Sequence, residues 1–130
     1  METKDLIQEA YCSFEVAELL KEKWFDEKCR AEYRIKDKLD VTLFHYRNTD
    51  INENVCTAPT HQMAMKWLRE VHGIFICIEF DAPTFVADIY KMDEIDEYGC
   101  AKHIPPTIAN CQTYEKAVEA AIKYVLENLI

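Results

Sequence analysis

Residues 113–130 read Thr-Tyr-Glu-Lys-Ala-Val-Glu-Ala-Ala-Ile-Lys-Tyr-Val-Leu-Glu-Asn-Leu-Ile and decide the fold. Apolar residues recur here at the i, i+3, i+4, i+7 spacing of an amphipathic helix. They are Tyr114, Ala117, Val118, Ala121, Ile122, Val125, Leu126, Leu129 and Ile130. The charged residues on or beside the other face are Lys116, Glu119, Lys123 and Glu127. Because such a helix is not stable alone in water, it needs a surface to pack on.

The N-terminal half of the chain predicts one helix and a hairpin. Residues 4–25 are predicted to be helical, with Ser13 as N-cap and Trp24 on the apolar side. Apolar and polar residues then alternate over 29–35 and again over 39–45. A short polar turn separates these two stretches, which therefore predict two paired strands.

The second helix has clear start and stop signals. Thr60 follows Pro59 and is the predicted N-cap, and Gly73 is placed to end the helix in a left-handed conformation. The predicted buried stripe consists of Ala64, Trp67, Leu68 and Val71.

Two further strands and a long loop are predicted before the last helix. Residues 74–78 are apolar on both faces, which predicts a central strand covered on both sides. Residues 85–90 alternate and should pair antiparallel with it, because the connection is short. Residues 93–112 lack a clear period and are predicted to form a loop, with a short strand at 101–104 as the alternative.

These elements predict a single α+β domain over residues 1–130. The predicted order is α-β-β-α-β-β-α, with a mostly antiparallel sheet of about four strands and three helices packed on it. If the central strand is covered on both faces, the layers are α/β/α.

Charge and composition restrict the function. The formal net charge is −9, and the basic residues are scattered, so no direct nucleic-acid partner is expected. The N-terminus lacks a signal-peptide pattern and no apolar run reaches the ~20 residues that span a membrane. A cytoplasmic protein is therefore expected, with its six cysteines reduced and mostly buried and with no membrane contact.

The metal-ligand candidates are Cys100, His103 and Cys111. Thiolate and imidazole are zinc ligands, and a two-residue spacer lets two ligands reach one ion. A fourth ligand would have to come from elsewhere, with Cys56 and His61 as candidates. The competing interpretation is two ordinary loop residues and a half-buried thiol, and no cofactor is predicted.

An acidic cluster provides the binding candidates in the predicted loop. Asp93, Glu94, Asp96 and Glu97 follow one another closely and would suit a basic partner. A solvated loop is the alternative.

Two stretches resemble a family. Residues 58–74 (Ala-Pro-Thr-His-Gln-Met-Ala-Met-Lys-Trp-Leu-Arg-Glu-Val-His-Gly-Ile) and 114–121 (Tyr-Glu-Lys-Ala-Val-Glu-Ala-Ala) resemble segments of small uncharacterised proteins from phages and conjugative elements of Bacteroides-type gut bacteria. Residues 13–25 resemble the first helix of that family, although Trp24 replaces an expected glycine. The resemblance implies a cytoplasmic accessory protein of a mobile element and carries no catalytic residue. Arg69 and Glu70 of the motif lie off the buried stripe and are candidates for contact with a partner.

The leading functional hypothesis is a non-enzymatic protein-binding or regulatory module, whose partner belongs to the host or to the mobile element. It predicts an exposed patch of apolar or aromatic residues; the oligomeric state is left open. The alternative is a small enzyme or zinc-binding protein that uses Cys100, His103 and Cys111 in the 93–112 loop. A third hypothesis is charge mimicry of DNA, which requires carboxylates spaced like phosphates along one face.

Overall fold

The computed structural model describes residues 7–130 and contains three helices and six strands there. Of the predicted helix over residues 4–25, positions 4–6 lie outside this range, and residues 7–13 and 23–25 are not helical. In chain order the elements are α1 Phe14–Glu22, β1 Cys29–Ile35, β2 Lys38–Tyr46, a 3₁₀ turn Asn48–Asp50, β3 Cys56–Thr57, α2 His61–His72, β4 Ile74–Asp81, β5 Thr84–Ile95, β6 Ala101–Cys111 and α3 Tyr114–Asn128.

The strands form two antiparallel sheets of three strands each, in the orders β2-β1-β3 and β4-β5-β6. The α+β class is confirmed, but the prediction of one sheet with about four strands is wrong. Much of the predicted 93–112 loop is β-structure, because β5 runs to Ile95 and β6 starts at Ala101. Pro105 and Pro106 interrupt the strand pattern of β6 in the sequence, because proline argues against a central strand. Proline is tolerated at an edge of a sheet, where β6 lies.

The β4 strand is an edge strand rather than a central one. Its residues Ile74 and Ile76 are buried, whereas Phe75 between them is 40% exposed. Helices therefore do not cover this strand on both faces, and the condition for an α/β/α layering is not met. The central strand is β5, where Ala87 and Ile89 are fully buried.

The packing of α3 on a β-layer is confirmed. Six of its side chains are completely buried: Ala117, Val118, Ala121, Ile122, Val125 and Leu126. They belong to one core cluster with Ile76, Ala87 and Ile89 of the sheet and with residues of α1 and α2. This is the main core of the protein, and it holds all three helices against the β4-β5-β6 sheet.

Local capping chemistry sets the helix ends. The Ser13 and Thr60 hydroxyls accept hydrogen bonds from Val16 N–H and Met63 N–H, as their predicted N-cap roles require. Gly73 has a φ of 66° and ends α2 in the left-handed conformation, which is also confirmed.

Two helical predictions are corrected. Trp24 lies beyond the end of α1, with a φ of 68° and a side chain that is 88% exposed, so it is not part of an apolar stripe. It adopts the left-handed conformation that glycine favours at this place. In α2, Ala64, Trp67 and Leu68 are buried as predicted, but Val71 is 59% exposed.

Candidate functional site

In the β2-β1-β3 sheet, the most exposed apolar surface lies on the hairpin of β1 and β2. Its β1 residues Ala31 and Tyr33 pack with Ala17 and Phe14 of α1. The register pairs Ala31 with Val41 and Tyr33 with Leu39, so these four side chains share one face of the sheet. The α1 side chains that cover β1 leave β2 uncovered, and every residue of β2 is exposed or half-buried.

The second half of β2 contains no Asp, Glu, Lys or Arg. It reads Val41-Thr42-Leu43-Phe44-His45-Tyr46, and Val41, Leu43 and Phe44 are 57%, 84% and 67% exposed. Within residues 7–130, β2 pairs with β1 alone, so its other edge is free. We call residues 41–46 the β2 edge segment.

A second cluster lies where the three helices meet. Cys12 directly precedes the α1 N-cap, His61 is the first residue of α2, and Glu119 lies in the second turn of α3. Backbone hydrogen bonds from Cys12 N–H to Pro59 C=O and from His61 N–H to Ala10 C=O hold the first two segments together. The chain thus brings together three side chains that are far apart in sequence.

The Glu119 carboxylate is the centre of this helix-junction cluster. Its Oε1 accepts the Ser13 N–H at 2.7 Å, and its Oε2 lies 2.5 Å from His61 Nε2. The Cys12 thiol sulfur, a His61 ring nitrogen and a Glu119 oxygen all lie within 4.8 Å of one another. Cys12 and His61 are buried, whereas the Glu119 side chain is partly accessible.

The pKa values of the Glu119 carboxyl and the Cys12 thiol are shifted in opposite directions. Burial alone would raise the pKa of Glu119, but the hydrogen bonds from His61 and Ser13 outweigh it, and the pKa is lowered. Burial, with a contribution from the Glu119 charge, raises the pKa of the Cys12 thiol well above its ordinary value. The acid is therefore ionised at neutral pH, whereas the thiol is protonated and is a poor nucleophile as it stands.

A cavity of about 210 Å³ opens beside the cluster. His61 lines it together with Glu9, Tyr114 and Glu115. Of the three cluster residues, His61 alone lines this cavity. The sequence predicts His61 as a candidate fourth ligand for a site elsewhere and predicts Glu119 on or beside the polar face of its helix.

The structure does not bring the predicted metal ligands together. Cys100 lies exposed in the β5–β6 turn, His103 near the start of β6 and Cys111 at its end. At about 3.3 Å per strand residue, His103 and Cys111 are roughly 25 Å apart. Cys56, one candidate for the fourth ligand, is buried in the core under α1.

His103 has a different partner. Its Nε2 lies 3.0 Å from Asp88 Oδ1, which also accepts the Thr107 hydroxyl at 2.6 Å. The hydrogen bond from Thr107 is the largest influence on the pKa of Asp88, which is lowered with further help from His103. With Tyr90 against the imidazole, this arrangement stabilises the outer face of β5 and β6.

In the predicted acidic cluster, one carboxylate forms salt bridges and another accepts hydrogen bonds within the β5–β6 turn. Glu94 pairs with Lys102 at 3.2 Å and is 4.0 Å from Lys91. Asp96 accepts hydrogen bonds from Tyr98 N–H and Cys100 N–H and so organises the turn. Asp93 and Glu97 are exposed.

The two motif residues lie at the end of α2. Arg69 is half-buried, and Glu70 is exposed and lines a cavity of about 350 Å³ beside Trp67. Trp67 itself is only 7% exposed and packs edge-on against Phe25, so the tryptophan of the motif belongs to the core.

Comparison with known proteins adds no assignment. Neither models of protein families, nor curated proteins, nor solved structures match the chain. Among the described residues, no helix has the length and apolar character needed to cross a membrane.

Proposed function

We propose that the protein is a non-enzymatic binding module that captures an extended segment of a partner protein at the free edge of β2. The observation that carries this proposal is the β2 edge segment itself. It combines a free edge, exposed Val41, Leu43 and Phe44, and the absence of Asp, Glu, Lys and Arg.

An edge of this kind is unusual in a protein that works alone. A free edge presents unpaired N–H and C=O groups that can template pairing with another chain, and natural proteins block such edges with charges, prolines, β-bulges or a covering element. In the β2 edge segment the register against β1 shifts between the pairs Cys29–Tyr46 and Ala31–Val41, and the Thr42 hydroxyl bonds both the N–H and the C=O of Phe44. Here the charged residues Lys38 and Asp40 lie only in the first half of the strand. The second half supports strand addition, in which main-chain hydrogen bonds give affinity and alternate side chains give specificity.

The proposed partner is a different protein rather than a second copy of this chain. With a net charge of −9, two copies repel each other, and high net charge generally keeps proteins monomeric. A neutral or basic partner avoids this cost. The resemblance to proteins of mobile elements suggests that the partner belongs to the bacterial host or to the element, and this suggestion rests on sequence alone.

The alternative function, a zinc-binding protein or small enzyme built on Cys100, His103 and Cys111, has less support. Those residues would have to converge, and β6 holds them apart along its length. DNA mimicry also lacks a specific observation in its favour, because Glu94 is paired with lysine and Asp96 is engaged by the turn.

The test compares capture by the wild type with capture by charged variants of the edge. The double variant Leu43→Lys, Phe44→Lys places a charge on each face of the β2 edge segment, and Tyr98→Lys is the matched control, because Tyr98 is exposed in the distant β5–β6 turn. We expect the wild type and Tyr98→Lys to retain the same partner and the double variant to lose it. Hydrogen exchange on the purified complex should show added protection at residues 41–46.

Two results would refute the proposal. One is a partner that the double variant retains with unchanged affinity. The other is self-association of the wild type that Leu43→Lys, Phe44→Lys abolishes, because this would identify a second copy as the occupant of the edge.

A further inference from the structure

The helix-junction cluster contains three side chains of the types that bind transition metals. They come from three separate segments: Cys12 before α1, His61 at the start of α2 and Glu119 in α3. One ligand atom from each lies within 4.8 Å of the other two. Among His, Cys, Asp and Glu of residues 7–130, this is the one group of three with that geometry.

The chemistry of the donors selects the class of ion. A thiolate, an imidazole and a carboxylate are the three ligand types that zinc takes in proteins. Calcium and magnesium prefer sets made only of oxygen atoms, so the sulfur and nitrogen donors argue against them. Binding of the cation would release the Cys12 thiol proton to solvent. The resulting thiolate and the Glu119 carboxylate would together carry two negative charges, which would neutralise a divalent cation in a site where Cys12 and His61 are buried.

Binding requires the three ligand atoms, which lie within 4.8 Å of one another, to move into a tetrahedral arrangement. With zinc–nitrogen and zinc–oxygen distances of about 2.0–2.2 Å, tetrahedral geometry places the two ligand atoms roughly 3.3 Å apart. His61 Nε2 and Glu119 Oε2 are now 2.5 Å apart in a hydrogen bond, so an ion would replace that bond as the two atoms separate. Glu119 Oε1 would keep the Ser13 N–H at 2.7 Å, which orients the carboxylate in the way that outer hydrogen bonds orient metal ligands.

The neighbouring cavity has room for the water molecule that would be the fourth ligand. His61 forms part of its wall. A water molecule from the cavity would complete a tetrahedral set. The acidic side chains of Glu9 and Glu115 line the same cavity and would attract a cation.

We propose that Cys12, His61 and Glu119 form a binding site for a thiophilic divalent cation, and that zinc is the ion that suits it best. The site is separate from the β2 edge segment, so it does not depend on the proposed binding function. A bound ion would link the N-terminal ends of α1 and α2 to the side of α3.

Cobalt provides the direct test, because a Co²⁺–thiolate bond has a charge-transfer absorption that other ligands do not give. The full-length chain is stripped of metal with a chelator, kept reduced with a phosphine, and titrated with Co²⁺ and then Zn²⁺. We expect one equivalent of Co²⁺ with a thiolate band, displacement of that band by Zn²⁺, and a higher melting temperature with Zn²⁺.

Variants assign the ligands. Cys12→Ala should abolish the thiolate band, whereas Cys56→Ala, which removes another buried thiol outside the cluster, should leave it unchanged. Glu119→Gln keeps the shape and removes the charge, and it should weaken Zn²⁺ binding by at least about tenfold. Unfolding curves of the metal-free variants establish that each is folded, and if Cys12→Ala is not, Glu119→Gln alone decides the assignment.

Three outcomes would overturn the proposal. The first is a wild type that binds neither ion at millimolar concentration. The second is a thiolate band that survives Cys12→Ala in a folded protein, or zinc affinity that is unchanged in folded Glu119→Gln. The third is a band that disappears in Cys100→Ala instead, which would move the metal to the exposed β5–β6 turn.

Discussion

Replacing Glu119 with alanine tests whether one carboxylate ties the three helices together. The change removes the acceptor for Ser13 N–H at the start of α1 and the partner of His61 at the start of α2. Both groups lie at helix N-termini, where a negative charge also interacts favourably with the helix dipole. The variant therefore loses contacts to α1 and α2 in a single step.

The expected cost follows from these two contacts. A hydrogen bond to a charged group contributes about 1.5–3 kcal/mol. The Glu119 side chain is 26% exposed, so the lower part of that range applies to each bond, and their sum is about 3 kcal/mol. For a chain of 130 residues, this corresponds to a fall in melting temperature of about 10 °C.

Urea unfolding in the presence of a chelator measures this cost without interference from metal. Glu127→Ala is the matched control, because Glu127 is an exposed acid on the same helix, and it should change the free energy of unfolding by less than about 0.5 kcal/mol. A loss below about 1 kcal/mol for Glu119→Ala, with an unchanged urea slope, would show that the cluster does not stabilise the fold.

The same pair of proteins should differ in their response to acid. The pKa of Glu119 is lowered in the folded state, so its contribution is fully present above the unfolded value of about 4.3 and is lost as the pH falls through the folded value. The stability difference between wild type and Glu119→Ala should therefore be constant just above that value and shrink below about pH 4. A difference that grows in acid would contradict the sign of this argument. Cys12 and His61 are the titratable groups that face this carboxylate.

Two further predictions concern the core and the thiols. Leu126→Ala should cost about 3–4 kcal/mol in urea unfolding, because the side chain is fully buried between α3 and the sheet, and a loss near 1 kcal/mol would mean that the helix packs loosely. Native-state alkylation followed by mass spectrometry should modify the exposed Cys100 well before Cys29 and Cys56, since burial raises the pKa of both these thiols to about 11; equal rates at all three would contradict their burial.

Features encoded over a few residues could be predicted from the sequence. The N-caps Ser13 and Thr60, the left-handed Gly73 and the apolar face of α3 all depend on neighbours within a turn or two, and all four are confirmed. The β6 strand is predicted only as a short alternative at 101–104, because Pro105 interrupts the pattern of a strand that its edge position permits.

The helix-junction cluster could not be predicted in this way. Glu119 is 58 residues from His61 in sequence, and helical periodicity assigns it to a face without naming its partner. The sequence contains one relevant feature: His61 is the first residue of a capped helix, so its side chain can bind a carboxylate from any element that packs at that helix end. Which element approaches is decided by the packing of α3, and that is a tertiary property.

The β2 edge segment shows a related limit, which also bears on function. The alternation over 39–45 correctly predicts a strand, and Val41 shares a face of the sheet with the buried Ala31. Whether such a face is covered depends on how far the helical layer extends. A nine-residue helix such as α1 is only about 14 Å long, whereas a nine-residue strand such as β2 is about 30 Å long. The helix that covers Ala31 does not extend as far as Leu43. The Leu43 side chain therefore stays exposed, although its sequence pattern normally indicates burial. In the proposed function, the side chains of a partner strand would bury it.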